Sequence, residues 1–240
     1  MISLDALPGL PEVRPGDDLA ALLAAAAQLR AGDVLVVAHK VVSKAEDRVV
    51  RLAGVQPGDR ASALAAEHGK DPRLVEVILS ETAELVRADA GRLICRTRHG
   101  FVCANAGVDA SNAGAPDSVV LLPVDPDASA RGLRARLGCA VVITDSFGRA
   151  WRQGQCEVAI GCAGLSPAED WRGLPDAEGR EMRATVIAIA DEVAAAADLV
   201  RGKDSREPAV RVRGLERHVI DADGPGAAAL VRAWENDLFR

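Results

Sequence analysis

Tyrosine is absent from this 240-residue chain, and there are only three Phe and three Trp. No platform of stacked aromatics is available for nucleic-acid bases, and the core must be built from Ala, Val, Leu and Ile. Lysine is scarce as well, with four against twenty-five arginines. The formal charge is -6 with no basic run, which argues against nucleic acid as a partner. No apolar stretch approaches the roughly 20 residues that span a bilayer. The N-terminus, MISLDALPGLPEVRPGDDL, has no basic start and no apolar h-region, so no signal peptide and no membrane partner is expected, and the cytoplasm is the expected location. The five cysteines are odd in number and form no C-x-x-C; Cys95, Cys103 and Cys139 lie in apolar segments and read as buried free thiols. P-loop, G-x-G-x-x-G, H-E-x-x-H and G-x-S-x-G motifs are all missing.

The 49% of hydrophobic residues and mean hydropathy of +0.07 provide for one full core or two small ones. Helices and strands alternate irregularly. Asp17 or Asp18 caps a helix through AALLAAAAQLR, and DVLVVA is a short apolar strand. HKVVSKAEDRVV fits either type. Asp71-Pro72 starts a helix predicted to run to about Arg87, with Leu74, Ile78, Ala83 and Val86 on one face. RLICRT and FVCANA form a predicted hairpin around His99-Gly100, and VVLLP is another strand. Asp125-Pro126 starts a helix that Gly138 closes, and CAVVIT is a strand running into Asp145. ADEVAAAADLVRG is a helix, PAVRVRG a late strand, and GAAALVRAWEND a last helix. Strands follow strands as well as helices, so the expected class is α+β with mixed sheets, in a single domain over 1–240 that could hold two interwoven subdomains.

Four segments are too polar for their places. In AGVDASNAG, Asp109, Ser111 and Asn112 sit on a Gly-flanked loop, which fits either a site for a hard cation or phosphate or an Asx-turn bonded to its own backbone. In VVITDSFGRAWRQGQ, strand alternation puts Val141, Ile143 and Asp145 on one face and Thr144 and Ser146 on the other. Arg149 and Arg152 follow, able to clamp phosphate or carboxylate oxygens, or to pair with Asp at a surface turn. In HKVVSKAEDR, helical winding would put Lys40 and Lys44 on one face, as a phosphate site or a solvated basic face. In PGLPEVRPGDDL, Pro8, Pro11 and Pro15 stiffen an extended path that can edge a cleft or serve as an ordinary arm. Two separated carboxylates, an amide, a Lys pair and an Arg pair together suggest magnesium-assisted phosphate chemistry, in which metal and basic groups offset the charge of a triphosphate.

The same segments carry a resemblance. GLPEVRPGDDL, GDVLVVAHKVVSKAE, KDPRLVEVIL, RHGFVCANAGVDASN, LLPVDPDASA, VVITDSFGRAWRQGQ, AIGCAGL, ADEVAAAADLVRGK and the terminal NDLF together resemble the coenzyme F420-0:L-glutamate ligases, or F420 gamma-glutamyl ligases, in the standalone form. The resemblance implies a family-specific α+β fold, a homodimer, and a GTP-dependent ligase. That enzyme would join L-glutamate to the carboxylate of F420-0 and then add gamma-linked glutamates, releasing GDP and phosphate. It also implies Mg2+ or Mn2+ at two sites and an association with K+.

By the same resemblance, Leu10, Pro11, Glu12 and Val13 contact GTP, as do Lys44 and Asn112. Asp109 and Asp145 hold metal. Ser146 stands where the family usually has Thr as ligand of a second metal. His39 stands where several relatives have Ser beside the nucleotide, and Cys156-Glu157 where a T-D pair is expected. Arg149 and Arg152 are assigned to substrate or phosphate charge from the residues alone. Two rival readings remain: another GTP- and metal-dependent carboxylate ligase or phosphohydrolase, and a nucleotide-binding module without turnover.

Overall fold

The computed structural model describes residues 1–238; Phe239, part of the terminal NDLF block, lies outside the described residues. The elements are β1 (Ser3–Ala6), α1 (Leu19–Ala26), β2 (Val34–Ala38), α2 (His39–Ala45), β3 (Val49–Arg51), α3 (Asp59–His68), α4 (Pro72–Ser80), β4 (Thr82–Asp89), β5 (Arg92–Thr97), β6 (Val102–Ala104), β7 (Ser118–Val120), α5 (Pro126–Leu137), β8 (Ala140–Arg149), β9 (Arg152–Ala163), β10 (Glu169–Asp170), β11 (Val186–Ile187), α6 (Ile189–Asp198) and β12 (Ala209–Arg213). The fold is α+β. A five-stranded sheet runs β1-β12-β2-β8-β9, and β4-β5-β6 form a separate three-stranded sheet. Within the larger sheet only β2 and β8 pair in parallel; the other neighbours are antiparallel.

β2 is apolar along its whole length because both its faces are covered. Leu35, Val37, Val141 and Ile143 pack with α1, α2 and α5, while Val34, Val36, Ala140 and Val142 pack with α6. A third apolar cluster, including Leu52, Ala61, Val75, Ile78, Leu93 and Val119, lies under α3, α4 and the smaller sheet. Four of the cysteines are buried, Cys156 is half-buried, and all five are free. Burial pushes the thiols of Cys103 and Cys162 up to about 12. Among the described residues no helix is long and apolar enough to cross a membrane.

The capping signals hold at three helices. Asp18 accepts from the Ala21 amide at 3.0 Å, Asp71 from Arg73 at 2.8 Å and Asp125 from Ala128 at 2.8 Å. Gly138 ends α5 in the left-handed conformation.

Two helix expectations are corrected. The helix from Asp71-Pro72 stops at Ser80, and the rest of the predicted stretch is β4. β4 pairs with β5 through a tight turn in which Ala90 and Gly91 both have positive φ. Cross-strand pairing wins over the helical spacing, and Val86 is left exposed rather than on a buried face. The predicted last helix is instead two 3-10 turns, Ala227–Leu230 and Trp234–Asn236. Its opening amides are taken by the buried carboxylate of Asp127, which accepts from Ala227 at 2.8 Å and Ala228 at 3.1 Å. The Arg96 guanidinium covers the Trp234 ring at 4.6 Å. A carboxylate on those first amides would cap a helix equally well; the break comes after Leu230, where Val231 turns extended.

Asp127 also accepts from the Cys162 amide at 2.8 Å, so one side chain ties α5, β9 and the C-terminal segment together. Gly226, with φ at 79°, leaves room for that carboxylate where a Cβ would run into it. Replacing Asp127 by Ala strands three amides; the expected loss is about 3 kcal/mol, read as a lower urea midpoint with an unchanged slope.

Candidate functional site

The parallel pairing of β2 and β8 sets the site. Its register matches Ala38 with Thr144, so the next residues, His39 and Asp145, lie side by side where the parallel pairing ends, with β2 finishing and β8 running on. That end of parallel strands is where open α/β sheets take ligands. His39 is buried, and its Nε2 lies 3.2 Å from Asp145 Oδ1, though not aligned as a hydrogen bond. Its Nδ1 is 3.3 Å from Ser43 Oγ. Asp145 Oδ1 also accepts from the Ser146 amide at 2.8 Å.

α2 begins at His39, so Lys40 and Lys44 project one turn apart on one face. Lys44 Nζ is 2.5 Å from Glu12 Oε1, which ties the proline-stiffened N-terminal stretch to α2. Lys40 Nζ is 2.7 Å from Asp109 Oδ2, 2.7 Å from Ser111 Oγ and 3.1 Å from the Ser111 carbonyl. A Cβ placed on Gly114 would come within 3.4 Å of Glu12 Oε1 and 3.6 Å of Lys44 Nζ, so the 109–114 loop closes over the same ion pair.

The loop is held firmly. Asn105, Ala106 and Gly107 are left-handed in succession, with φ at 54°, 53° and 74°. Asp109 then exchanges both backbone hydrogen bonds with Val120, at 3.0 and 2.8 Å. Strained backbone persists only where its surroundings enforce it. Asp109 Oδ1 accepts from the Ser111 amide at 2.7 Å, so the Asx-turn is present as well as the charged contact. Burial alone would raise the Asp109 pKa, but Lys40 and the Ser111 amide outweigh it and hold the carboxyl below its ordinary value.

The other face of β8 carries a second polar network. Thr144 and Ser146 point there, as strand alternation requires. Arg201 donates to Thr144 Oγ1 at 2.9 Å and to Glu157 Oε2 at 2.8 Å. Lys203 donates to Ser146 Oγ at 2.7 Å and lies 3.3 Å from Glu157 Oε1, which also accepts from the Ser146 hydroxyl. Glu157 and Arg201 are both buried. Burial raises the Glu157 pKa, but Arg201, Ser146, Thr144 and Lys203 bring it below the ordinary value.

The sequence-predicted residues therefore divide. His39 and Lys44 lie on α2 itself, and Asp145, Asp109 and Glu12 contact it at His39, Lys40 and Lys44 in turn. Leu10 and Val13 flank Glu12 as partly buried and buried anchors, and Pro11 is exposed. Asn112 is exposed and left-handed, with φ at 54°. Ser146 belongs to the network behind β8. Arg149 and Arg152 face each other at the exposed end of the β8–β9 hairpin, and Arg149 donates to the Gln153 carbonyl of its own turn at 2.7 Å. Among the described residues no group of three or more His, Cys, Asp or Glu is gathered for a metal ion.

The family model for F420-0:Gamma-glutamyl ligase matches residues 9–214. The chain belongs to this family. Proteins named coenzyme F420:L-glutamate ligase resemble it over full length: one from Methanopyrus kandleri is 47% identical, covering 100% of this chain and 98% of its own. One from Methanothermobacter thermautotrophicus is 44% identical, covering 100% and 99%. One from Natronomonas pharaonis is 45% identical, covering 98% and 93%.

Sequence reasoning did not connect Lys40 to Asp109, nor Lys203 and Arg201 to Glu157. The available signal was lysine scarcity: of Lys40, Lys44, Lys70 and Lys203, all but Lys70 sit in these two networks.

Removing Glu157 would leave Arg201 buried with its main counter-charge gone. Glu157→Ala is expected to cost roughly 3–5 kcal/mol. The folded-state pKa of Glu157 is lowered, so its contribution is present above the unfolded pKa of about 4.3 and is lost as pH falls through the folded value. The gap in urea midpoint between the native protein and Glu157→Gln should be largest near neutral pH and close in acid.

Proposed function

We propose that this protein joins L-glutamate to coenzyme F420-0, forming an amide with the carboxylate of its tail, and then adds further glutamates through the gamma-carboxyl. The energy comes from GTP, released as GDP and phosphate. What carries this reading is the full-length similarity to F420:L-glutamate ligases combined with the gathering of Glu12, Lys40, Lys44, Asp109 and Asp145 at one end of the sheet.

A carboxylate is a poor acyl donor because oxide is a poor leaving group. In the proposed reaction a carboxylate oxygen of F420-0 attacks the gamma-phosphorus of GTP, and GDP departs with the bond electrons. The resulting acyl phosphate is attacked at carbon by the glutamate amine, which gives up a proton, and inorganic phosphate leaves. No Ser or Cys nucleophile is required, in keeping with the missing G-x-S-x-G. The protein's part is positioning and charge neutralisation.

Lys44 is placed to offer its ammonium to the nucleotide phosphates, with Glu12 fixing its direction until then. Asn112 and the 109–114 loop border the same space. Asp109 and Asp145 would hold the divalent metal. A magnesium ion takes one or two carboxylates and leaves its remaining positions to water and phosphate oxygens, so two carboxylates without a third acidic partner suit it. The bound metal would supply charge neutralisation at the phosphates. Ser146 offers a hydroxyl behind β8 for a second ion. A homodimer, a K+ association and a cytoplasmic location belong to the same reading.

The test is product mass after incubation with F420-0, L-glutamate, GTP and Mn2+. Asp109→Ala and Asp145→Ala should each remove the added glutamyl mass, with circular dichroism unchanged. Full turnover by Asp145→Ala would overturn its assignment to the metal. Phosphate release that needs neither F420-0 nor glutamate would favour a phosphohydrolase, and tight GTP binding without product a non-catalytic module.

A further inference from the structure

We propose that the Lys40 ammonium is a resident counter-ion for Asp109 that a divalent cation displaces, so that metal and nucleotide bind synergistically through the exchange. This rests on the reading of Asp109 as a metal carboxylate.

An ammonium has three donors and no acceptor. All three of Lys40's are directed at the 109–111 turn: Asp109 Oδ2 at 2.7 Å, Ser111 Oγ at 2.7 Å and the Ser111 carbonyl at 3.1 Å. A carboxylate, a hydroxyl and a carbonyl around one positive charge are the oxygen donors a hard cation prefers. Both Asp109 oxygens are engaged, Oδ1 by the Ser111 amide and Oδ2 by Lys40 and the Ser111 hydroxyl. The backbone of Asp109 is pinned to Val120 on both sides, so the carboxylate cannot move far to find another partner.

A metal can therefore reach Asp109 Oδ2 only by taking the place of the ammonium. Two positive charges on one half-buried carboxylate repel, so Lys40 must leave as the metal arrives. The flexible four-carbon stem allows this. Lys44 lies one helical turn away on the same face, against Glu12 and Gly114. A nucleotide phosphate approaching Lys44 gives the displaced Lys40 a new anionic partner. Metal binding alone costs the Lys40–Asp109 pair; metal binding with nucleotide recovers it elsewhere. Each ligand then strengthens the other, as linkage requires.

The use of lysine fits this role. A guanidinium is planar, grips a carboxylate bidentately, and is always charged. In a chain with twenty-five arginines, a compact ammonium at position 40 makes a contact that can be exchanged.

The experiment titrates Mn2+ into the full chain and follows free Mn2+ by electron paramagnetic resonance. Mant-labelled, non-hydrolysable GTP analogue is titrated separately at fixed Mn2+ concentrations. Lys40→Met should bind Mn2+ about tenfold more tightly than the native protein without nucleotide, and the gain in Mn2+ affinity on adding the analogue should be smaller than in the native protein. Lys40→Arg, which keeps the charge, should bind Mn2+ no more tightly than the native protein. Thermal melts confirm that the variants compared are folded. If Lys40→Met leaves Mn2+ affinity unchanged or weaker while Asp109→Asn weakens it, the exchange is wrong and the Asp109 assignment stands. If Asp109→Asn leaves Mn2+ affinity unaltered, the Asp109 assignment fails and the exchange with it.

Discussion

The parallel contact between β2 and β8 governs where chemistry can occur in this protein. Both strands are covered on both faces, which fixes their register through Leu35, Val37, Val141 and Ile143 on one side and Val34, Val36, Ala140 and Val142 on the other. A slip of one residue would exchange those two sets and send Asp145 to the face that Thr144 now occupies. With the register fixed, the chain leaves the sheet at His39 beside Asp145, which stays paired with Val158 of β9, and the helix that starts at His39 carries Lys40 and Lys44 outward in a known direction. The charged side chains are arranged by an apolar core that contains none of them.

β8 divides two polar systems. On one side lie Asp109 and Lys40, half-buried, with Lys44, buried, against the exposed Glu12. On the other, Glu157 and Arg201 are buried and mutually saturated, with Thr144 and Ser146 as bridges. A buried pair of this kind contributes little net stability against an apolar substitute but penalises the loss of either partner. It therefore fixes the strand more than it strengthens it, and the stiffness is delivered to Asp145, one residue from each of Thr144 and Ser146.

Much of the fold could be read from local signals. Asp-Pro and Gly punctuation found α4 and α5, and the apolar runs found β2 and β8. What was illegible depended on distant partners. The Thr82–Asp89 stretch carries helical spacing, and only pairing with β5 makes it a strand. The C-terminal segment reads as a helix, but its backbone turns extended at Val231 and its Trp234 ring packs under Arg96, far earlier in the chain. At the site, residue types and loop context singled out Asp109, Asp145 and the Lys40–Lys44 pair, the resemblance alone singled out Lys44 within it, and alternation separated Asp145 from Ser146. The pairing of Lys40 with Asp109 spans 69 residues and leaves no local trace. The long β9 strand and the 166–188 excursion carry no periodic pattern strong enough to be recognised.

Lysine scarcity has a practical consequence. Lys40, Lys44 and Lys203 are each engaged with a carboxylate, and Lys70 is the one that stands apart from both networks. An acylating reagent that attacks primary amines would thus meet four side chains and the chain's own amino terminus. Such a small set of modified peptides would make covalent footprinting of this protein a direct map of which ionic contacts are open at a given moment.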